Sequence, residues 1–392
     1  MDLKQERRKL AARRRRLIFN NDGNDCWHPK PVEPRTAENF LAQRTAPLAD
    51  SQVDAIAYCD GVVNRYMHHS AETELIKRGD NNMENWAHEL LQIAGRDNLQ
   101  IITEFSHAQG WEAFWSMRMN DTHDAGDPAL LSQWKKDHPH LLMGKFGDSF
   151  PYGGYNRWSA LDYGLPEVRE KIFRILRDVG TRYDVDGLEL DFDRHPHYFR
   201  PQMFGEPVTQ DHCDQMTGLL RRVREMADER GTARGRPLLL VTHVQDSLAY
   251  AKGLGLEVQR WLEDDLIDIL VVGGYLNLAP WQEMVNLGRQ YEVPVYVCLS
   301  ASRVEAELRD GLEELQQANL KLLRGQALRA WEAGASGIHL FNYNPPQQFL
   351  RELGDPDLLR RLERTDSYRP GNDYWLNFLK DGAKYRTIEN KA

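Results

Sequence analysis

Eight strand-like runs, separated by helix-like runs, constrain this chain more than any single residue does. They read "RLIFNNDG" (16–23), "VDAIAYCDG" (53–61), "WEAFWSMRMND" (111–121), "DVDGLELDFD" (184–193), "PLLLVTHV" (237–244), "IDILVVGGYL" (267–276), "VPVYVCLSAS" (293–302) and "SGIHLFNY" (336–343). Helical patterns lie between them, such as "LQIITEFSHAQG" (99–110), "EVREKIFRILRDVGTRY" (167–183) and "DQMTGLLRRVREMADERG" (214–231). Eight such units at intervals of roughly 30–60 residues predict an α/β fold, a (β/α)8 TIM barrel. A doubly wound open sheet alternates in the same way, but no Gly-rich phosphate fingerprint follows an early strand and the count reaches eight. The expected organisation is a basic segment over 1–15, a single barrel domain over 16–345, and a helix and tail over 346–392 packed on the outside or the base of the barrel.

At 392 residues, 41% hydrophobic and 28% charged, the chain can bury a sizeable core, and its net charge of -9 argues against nucleic acid as a partner. The run Arg13 to Arg16 is the local exception and reads as a solvated lead-in to the first strand. No apolar run is long enough for a membrane span. The N-terminus lacks the apolar core of a signal peptide, so the expectation is open between a cytoplasmic protein, for the sequence as written, and a secreted or periplasmic one trimmed of a leader. Cys26, Cys59, Cys213 and Cys298 are scattered without zinc-type spacing. We expect free thiols, no cysteine metal site and no cofactor.

The fourth run raises the sharper question. In a strand, successive side chains face opposite ways, so Leu188, Leu190 and Phe192 share one face while Gly187, Glu189, Asp191 and Asp193 share the other. Three carboxylates pointing into a barrel repel one another and lose hydration, and at least one should have a raised pKa. Glu189 lies deepest and Asp193 nearest the mouth, with Asp191 and Asp193 about 6.6 Å apart along the strand. Other strands also end in polar residues: Asn20, Asp22 and Asp25 at the first, Asp60 at the second, and Arg118, Asn120, Asp121, His123 and Asp124 at the third. Arg194, His195 and His197 follow the fourth, His243 and Asp246 the fifth, Tyr275 the sixth, Ser300 the seventh and Asn342 the eighth. Barrel enzymes work at this end of their strands. A cup lined this way suits a polyhydroxylated ligand, a carbohydrate, which needs many directional hydrogen bonds and an aromatic face. Trp111, Trp115, Trp158 and Trp281 lie near enough to serve as that face or to pack in the core. Asp22, Asp60 and Asp246 have the simpler reading of turn or cap residues.

"DGLELDFD" (186–193) resembles the D-G-x-D-x-D-x-E signature that ends strand four in family 18 chitinases: Asp186, Gly187 and Asp191 match, while Glu189 and Asp193 exchange acid type. More widely, "RLIFNNDGND", "FWSMRMNDTHD" and "DGLELDFDRHP" together resemble the glycoside-hydrolase-like barrels of the family 10-like group, over roughly residues 15–345. The chitinase resemblance implies that Asp193 is the general acid and Asp191 the neighbour that orients substrate or shares its proton. Asp reaches one methylene less than Glu, so the resemblance does not extend to substrate-assisted chemistry.

The leading expectation is a glycosidase with Asp193, Asp191 and Glu189 as its catalytic group. Asn20, Asp22, Arg118, Asn120, Asp121, His123, Arg194, His243, Tyr275 and Asn342 would bind the substrate. The partner of Asp193 could also come from across the cup, from Asp121, Asp124 or Asp22. Two alternatives stand beside it. One is a metal-dependent barrel hydrolase or isomerase using Asp191, Asp193, His195, His123, Asp121 and His243, which no HxH or HExxH spacing supports. The other is a carbohydrate-binding barrel that has lost catalysis.

Overall fold

The computed structural model describes residues 2–28, 34–76, 84–153, 156–300, 313–341, 347–365 and 373–388. Eight parallel strands close into a barrel in chain order: β1 (Leu17–Asn21), β2 (Val53–Tyr58), β3 (Glu112–Arg118), β4 (Gly187–Asp191), β5 (Leu239–Val244), β6 (Ile269–Gly273), β7 (Val295–Ser300) and β8 (Gly337–Phe341). β8 pairs with β1 and completes the ring. Each strand lies inside an expected run and is shorter than it by a few residues, because the polar ends belong to loops.

The two faces of each strand divide the core. Leu188, Leu190 and Phe192 pack in the layer between sheet and helices, with Val168, Ile172, Ile175 and Leu176 of the helix Pro166–Arg182. That helix repeats its apolar residues every three to four positions, which makes one side a stripe. Ile18, Ala55, Phe114, Val241, Ile269, Val271 and Tyr296 fill the barrel interior. Register places Ser116 beside Glu189 one level below Arg118, Asp191 and His243, which are neighbours on β3, β4 and β5.

The basic N-terminal segment departs from its expected solvated state. Residues Leu3–Ala11 form a helix, α1, whose N-cap Asp2 accepts from Gln5 N–H at 3.1 Å. Ala11 packs against the interior cluster, so α1 closes the bottom of the barrel. Arg15 is fully buried: its guanidinium meets both oxygens of Glu112 at 2.7 Å and donates to the carbonyls of Leu10, Ala11 and Arg13 at 2.9 Å. A guanidinium is drawn inward here because a buried carboxylate and the open carbonyl end of a helix both need donors.

The tail also departs from expectation. Residues Asp373–Phe378 form a 3-10 turn at the mouth of the barrel and not at its base. Trp375 stacks on Tyr275 at 3.9 Å between ring centres, and Phe378 lies tilted against His197 at 4.3 Å. The backbone joins in, with Gly153 N–H donating to Asn377 O and Gln202 Nε2 to Phe378 O. Among the described residues, no helix is long and apolar enough to cross a membrane.

Candidate functional site

β4 carries Glu189, Asp191 and, two residues past its last pairing, Asp193 into the barrel. Their relative exposures are 0%, 1% and 2%. Each carboxylate has different company. Glu189 accepts from Ser116 Oγ at 2.6 Å and pairs with His339 Nε2 at 3.2 Å. Burial pushes its pKa up, but His339, His243 and Ser116 outweigh that and hold it below the ordinary value. A raised pKa was expected somewhere in this row; at Glu189 the shift runs the other way, because imidazoles from β5 and β8 face it.

Asp191 Oδ1 accepts the backbone N–H groups of Asp193 and Arg194 at 2.8 and 3.2 Å, so its side chain fixes the bend that follows the strand. Asp193 reaches toward β6, where Tyr275 N–H meets its Oδ2 at 3.1 Å and Gln245 Nε2 lies 3.4 Å from Oδ1. Gly274, at φ +130, allows this approach, since a Cβ there would fall on the Asp193 carboxylate.

Around them the expected binding residues divide. Arg118 donates to Asp121 Oδ2 at 3.0 Å, and the backbone N–H and Nδ1 of His123 lie 2.8 and 2.7 Å from Asp121 Oδ1. Burial would raise the Asp121 pKa, but His123 and Arg118 hold it well below the ordinary value. Arg194 reaches His123 Nε2 at 3.3 Å and lies over the Tyr275 and Phe341 rings. Asp22, partly buried, pairs with Arg44; burial raises its pKa, and the charges of Arg44, Arg118 and Arg194 lower it further than burial lifts it. Asn20 points inward with its Nδ2 3.3 Å from Ala57 O, and its Oδ1 has no hydrogen-bond partner among the described residues. Asn120 is buried and holds loops together through Leu161 N–H, Leu161 O and His197 O. Asn342 lies outside the described residues.

Asp124 is bound to Lys135 and Ser159, both at 2.6 Å. Asp60 accepts from Trp115, Asn98 and the His68 backbone, each at 3.0 Å. Asp246 receives Leu278 N–H and Trp281 Nε1. His195 takes Thr122 N–H on Nδ1 at 3.0 Å, so its proton sits on Nε2, and burial and Arg157 hold its pKa far below the usual value.

Of the two roles open to the four tryptophans, the structure shows core packing. Trp111, Trp115, Trp158 and Trp281 are buried, and the last three donate their indole N–H to Asp60, Ala125 O and Asp246. The aromatic pair at the mouth is Tyr275 with Trp375, and Trp375 sits in a tail whose spacing from the strands hid it.

Asp25, in the 3-10 turn after β1, is fully buried, and burial pushes its pKa up to about 6 despite nearby Arg44. Well below pH 4 the carboxyl is neutral both folded and unfolded. Between about pH 4 and 6 the unfolded chain ionises while the folded protein keeps its buried proton, so stability falls across that interval and the loss is complete above about 6. Asp25→Asn should therefore stabilise the protein above pH 7 by up to about 3 kcal/mol relative to its effect near pH 3, as thermal melts at the two pH values would register.

One further cluster joins three strands. His243 on β5, Cys298 on β7 and His339 on β8 are buried, with one ligand atom from each within 4.8 Å of the others. Burial would raise the Cys298 thiol, yet His243 and His339 hold it below its ordinary pKa. No local spacing joins these three positions, so the sequence kept them apart.

Residues 72–221 match the family described as glycosyl hydrolase-like 10. The match covers β3, β4 and their loops, including Asp121, Asp191 and Asp193. The barrel is similar to an alpha-L-fucosidase isoenzyme 2 from Paenibacillus thiaminolyticus, at 13% identity and a TM-score of 0.51, over 89% of this chain and 49% of that one. The chain thus spans about half the length of that protein. It is also similar to the PgaB (BpsB) glycoside hydrolase domain from Bordetella bronchiseptica, at 11% identity and a TM-score of 0.50, over 90% of this chain and 99% of that domain. No curated protein sequence matches this one. The (β/α)8 barrel fold is therefore one that the chain shares with these two structures.

Proposed function

We propose that the protein hydrolyses a glycosidic bond, with Asp193 protonating the leaving oxygen. The observation that carries this reading is a carboxyl at the mouth end of β4, buried to 2% exposure, fixed by Tyr275 N–H and flanked by an aromatic pair. Hydrolysis needs a second carboxylate, ionised, to activate water or attack the sugar. Of the three across the cup, each is paired with a cationic group, but Asp121 and Asp124 are also buried and held by a second close donor, whereas Asp22 has Arg44 and remains partly exposed. Asp22 is partly exposed, is kept ionised by three arginines and fits that role best. Asp191 is a positioning residue, since its oxygen holds the bend that aims Asp193. Asn20 Oδ1, Arg194 and His123 offer an acceptor and donors for sugar hydroxyls.

The test is sugar release from a panel of aryl glycosides and polysaccharides by wild type beside Asp193→Asn and Asp22→Asn. Release by wild type that both substitutions suppress supports the assignment. Sugar binding without release by wild type would make it a binding barrel. Trp375→Ala should raise KM by about tenfold, the worth of one aromatic contact, and leave kcat within about twofold. A loss confined to kcat would count against Trp375 as a stacking platform.

A further inference from the structure

We propose that His243, Cys298 and His339 form a zinc-type metal site inside the barrel, independent of whether Asp193 reacts. Barrel interiors are ordinarily packed with branched aliphatic residues, and here a thiol and two imidazoles take that place at 0% exposure. The outer nitrogen of each imidazole is engaged as in metal-bound histidines, which hand their second N–H to a carboxylate or a backbone carbonyl. His339 Nε2 lies 3.2 Å from Glu189, and His243 Nε2 lies 2.8 Å from Gly273 O. These partners orient the rings and leave Nδ1 of each as the inward donor. Both Nδ1 atoms are buried and make no well-formed hydrogen bond among the described residues; His243 Nδ1 has only the Asp191 carboxylate, at 3.4 Å, and both rings interact with the Cys298 sulfur. Buried polar atoms so poorly satisfied are rare in native proteins, and an ion is one of the accepted explanations.

The donor set fits the ion. Two imidazoles and a thiolate suit Zn2+ and discriminate against magnesium and calcium, which prefer oxygen. Ligand atoms around tetrahedral zinc stand about 3.3–3.8 Å apart given its bond lengths. One ligand atom from each of the three residues lies within 4.8 Å of the others, so side-chain rotations within the cluster would bring the donors to that spacing. Asp191, whose Oδ1 is 3.4 Å from His243 Nδ1, is the carboxylate in reach of a fourth position. The other candidate group, Asp121, His123 and His195, is less suited. His123 Nδ1 is already spent on Asp121, and His195 Nδ1 on Thr122 N–H. Cysteine spacing along the chain argued against a metal site, but that argument does not reach donors brought together from three strands.

The test uses the full chain, stripped of metal and then titrated with Zn2+ or Co2+ alone. Wild type and Cys213→Ser should each retain about one zinc per chain after desalting, and Cys298→Ser should lose most of it, read by elemental analysis. Cobalt in wild type should give thiolate-to-cobalt charge-transfer absorption together with tetrahedral d–d bands. If wild type retains no zinc, or if bound cobalt shows no thiolate band, the proposal is overturned; the second result would put the metal at Asp121, His123 and His195. Should Cys298→Ser fail to fold, the cobalt spectrum of wild type decides the matter by itself.

Discussion

Asp193→Asn is expected to lower turnover by about 10²–10⁴-fold on a substrate whose leaving group is another sugar, the usual worth of a positioned general acid. The loss should shrink as the leaving group improves. A sugar alkoxide cannot depart without a proton, whereas an activated phenolate can, so a dinitrophenyl glycoside should be much less affected. Asparagine keeps the shape and can still accept Tyr275 N–H at Oδ1, so folding should be undisturbed. Asp191→Asn should behave differently. It weakens the bend that accepts two backbone N–H groups, and a displacement of about 1 Å can cost roughly 10²-fold whatever the leaving group. Equal losses on both kinds of substrate for Asp193→Asn would remove the acid role from that residue and leave it one of binding or positioning.

The contrast between these two acids shows where sequence reading succeeds. Strand direction, the eight-fold alternation and the facing of Glu189, Asp191 and Asp193 follow from a period of two, which is local and so visible along the chain. Who meets each carboxylate is a cross-strand matter. Glu189 lies against His339, 150 residues away, and that contact, with His243 and Ser116, turns the upward push of burial into a lowered pKa. Asp193 depends on Gly274 and Tyr275 from β6, and nothing in "VVGGYL" by itself announces a carboxylate partner. The tryptophans close to the strand ends are buried, three of them as hydrogen-bond donors, and Trp375 comes from the tail to stack on Tyr275. The His243, Cys298 and His339 cluster was hidden for the same reason, since register assembles it and spacing does not.

The largest effect on stability is expected at the opposite end of the barrel, from Glu112→Gln. Arg15 is fully buried and its guanidinium is satisfied by Glu112 and three carbonyls at the end of α1. Glutamine has almost the same volume but no charge, and its amide presents donors to a donor. Removing one partner of a buried pair leaves the other charge uncompensated in a poorly solvating site, at a cost of about 3–5 kcal/mol. Arg13, 3.8 Å from Glu112 and half-exposed, cannot relieve this, since it adds positive charge. Urea denaturation should show the loss as a lower midpoint at an unchanged slope. The exposed pair Arg221–Asp264 at 2.8 Å is the control, and Arg221→Ala should change stability by no more than about 1 kcal/mol because solvent already screens that contact. Arg15→Leu combined with Glu112→Leu separates two contributions. With both charges gone the desolvation penalty disappears, so the double variant should be more stable than Glu112→Gln. It should still fall short of wild type, because the carbonyls of Leu10, Ala11 and Arg13 lose the guanidinium that caps them. A double variant no better than the single one would mean that Arg15 acts chiefly as the cap of α1, and that its pairing with Glu112 is secondary.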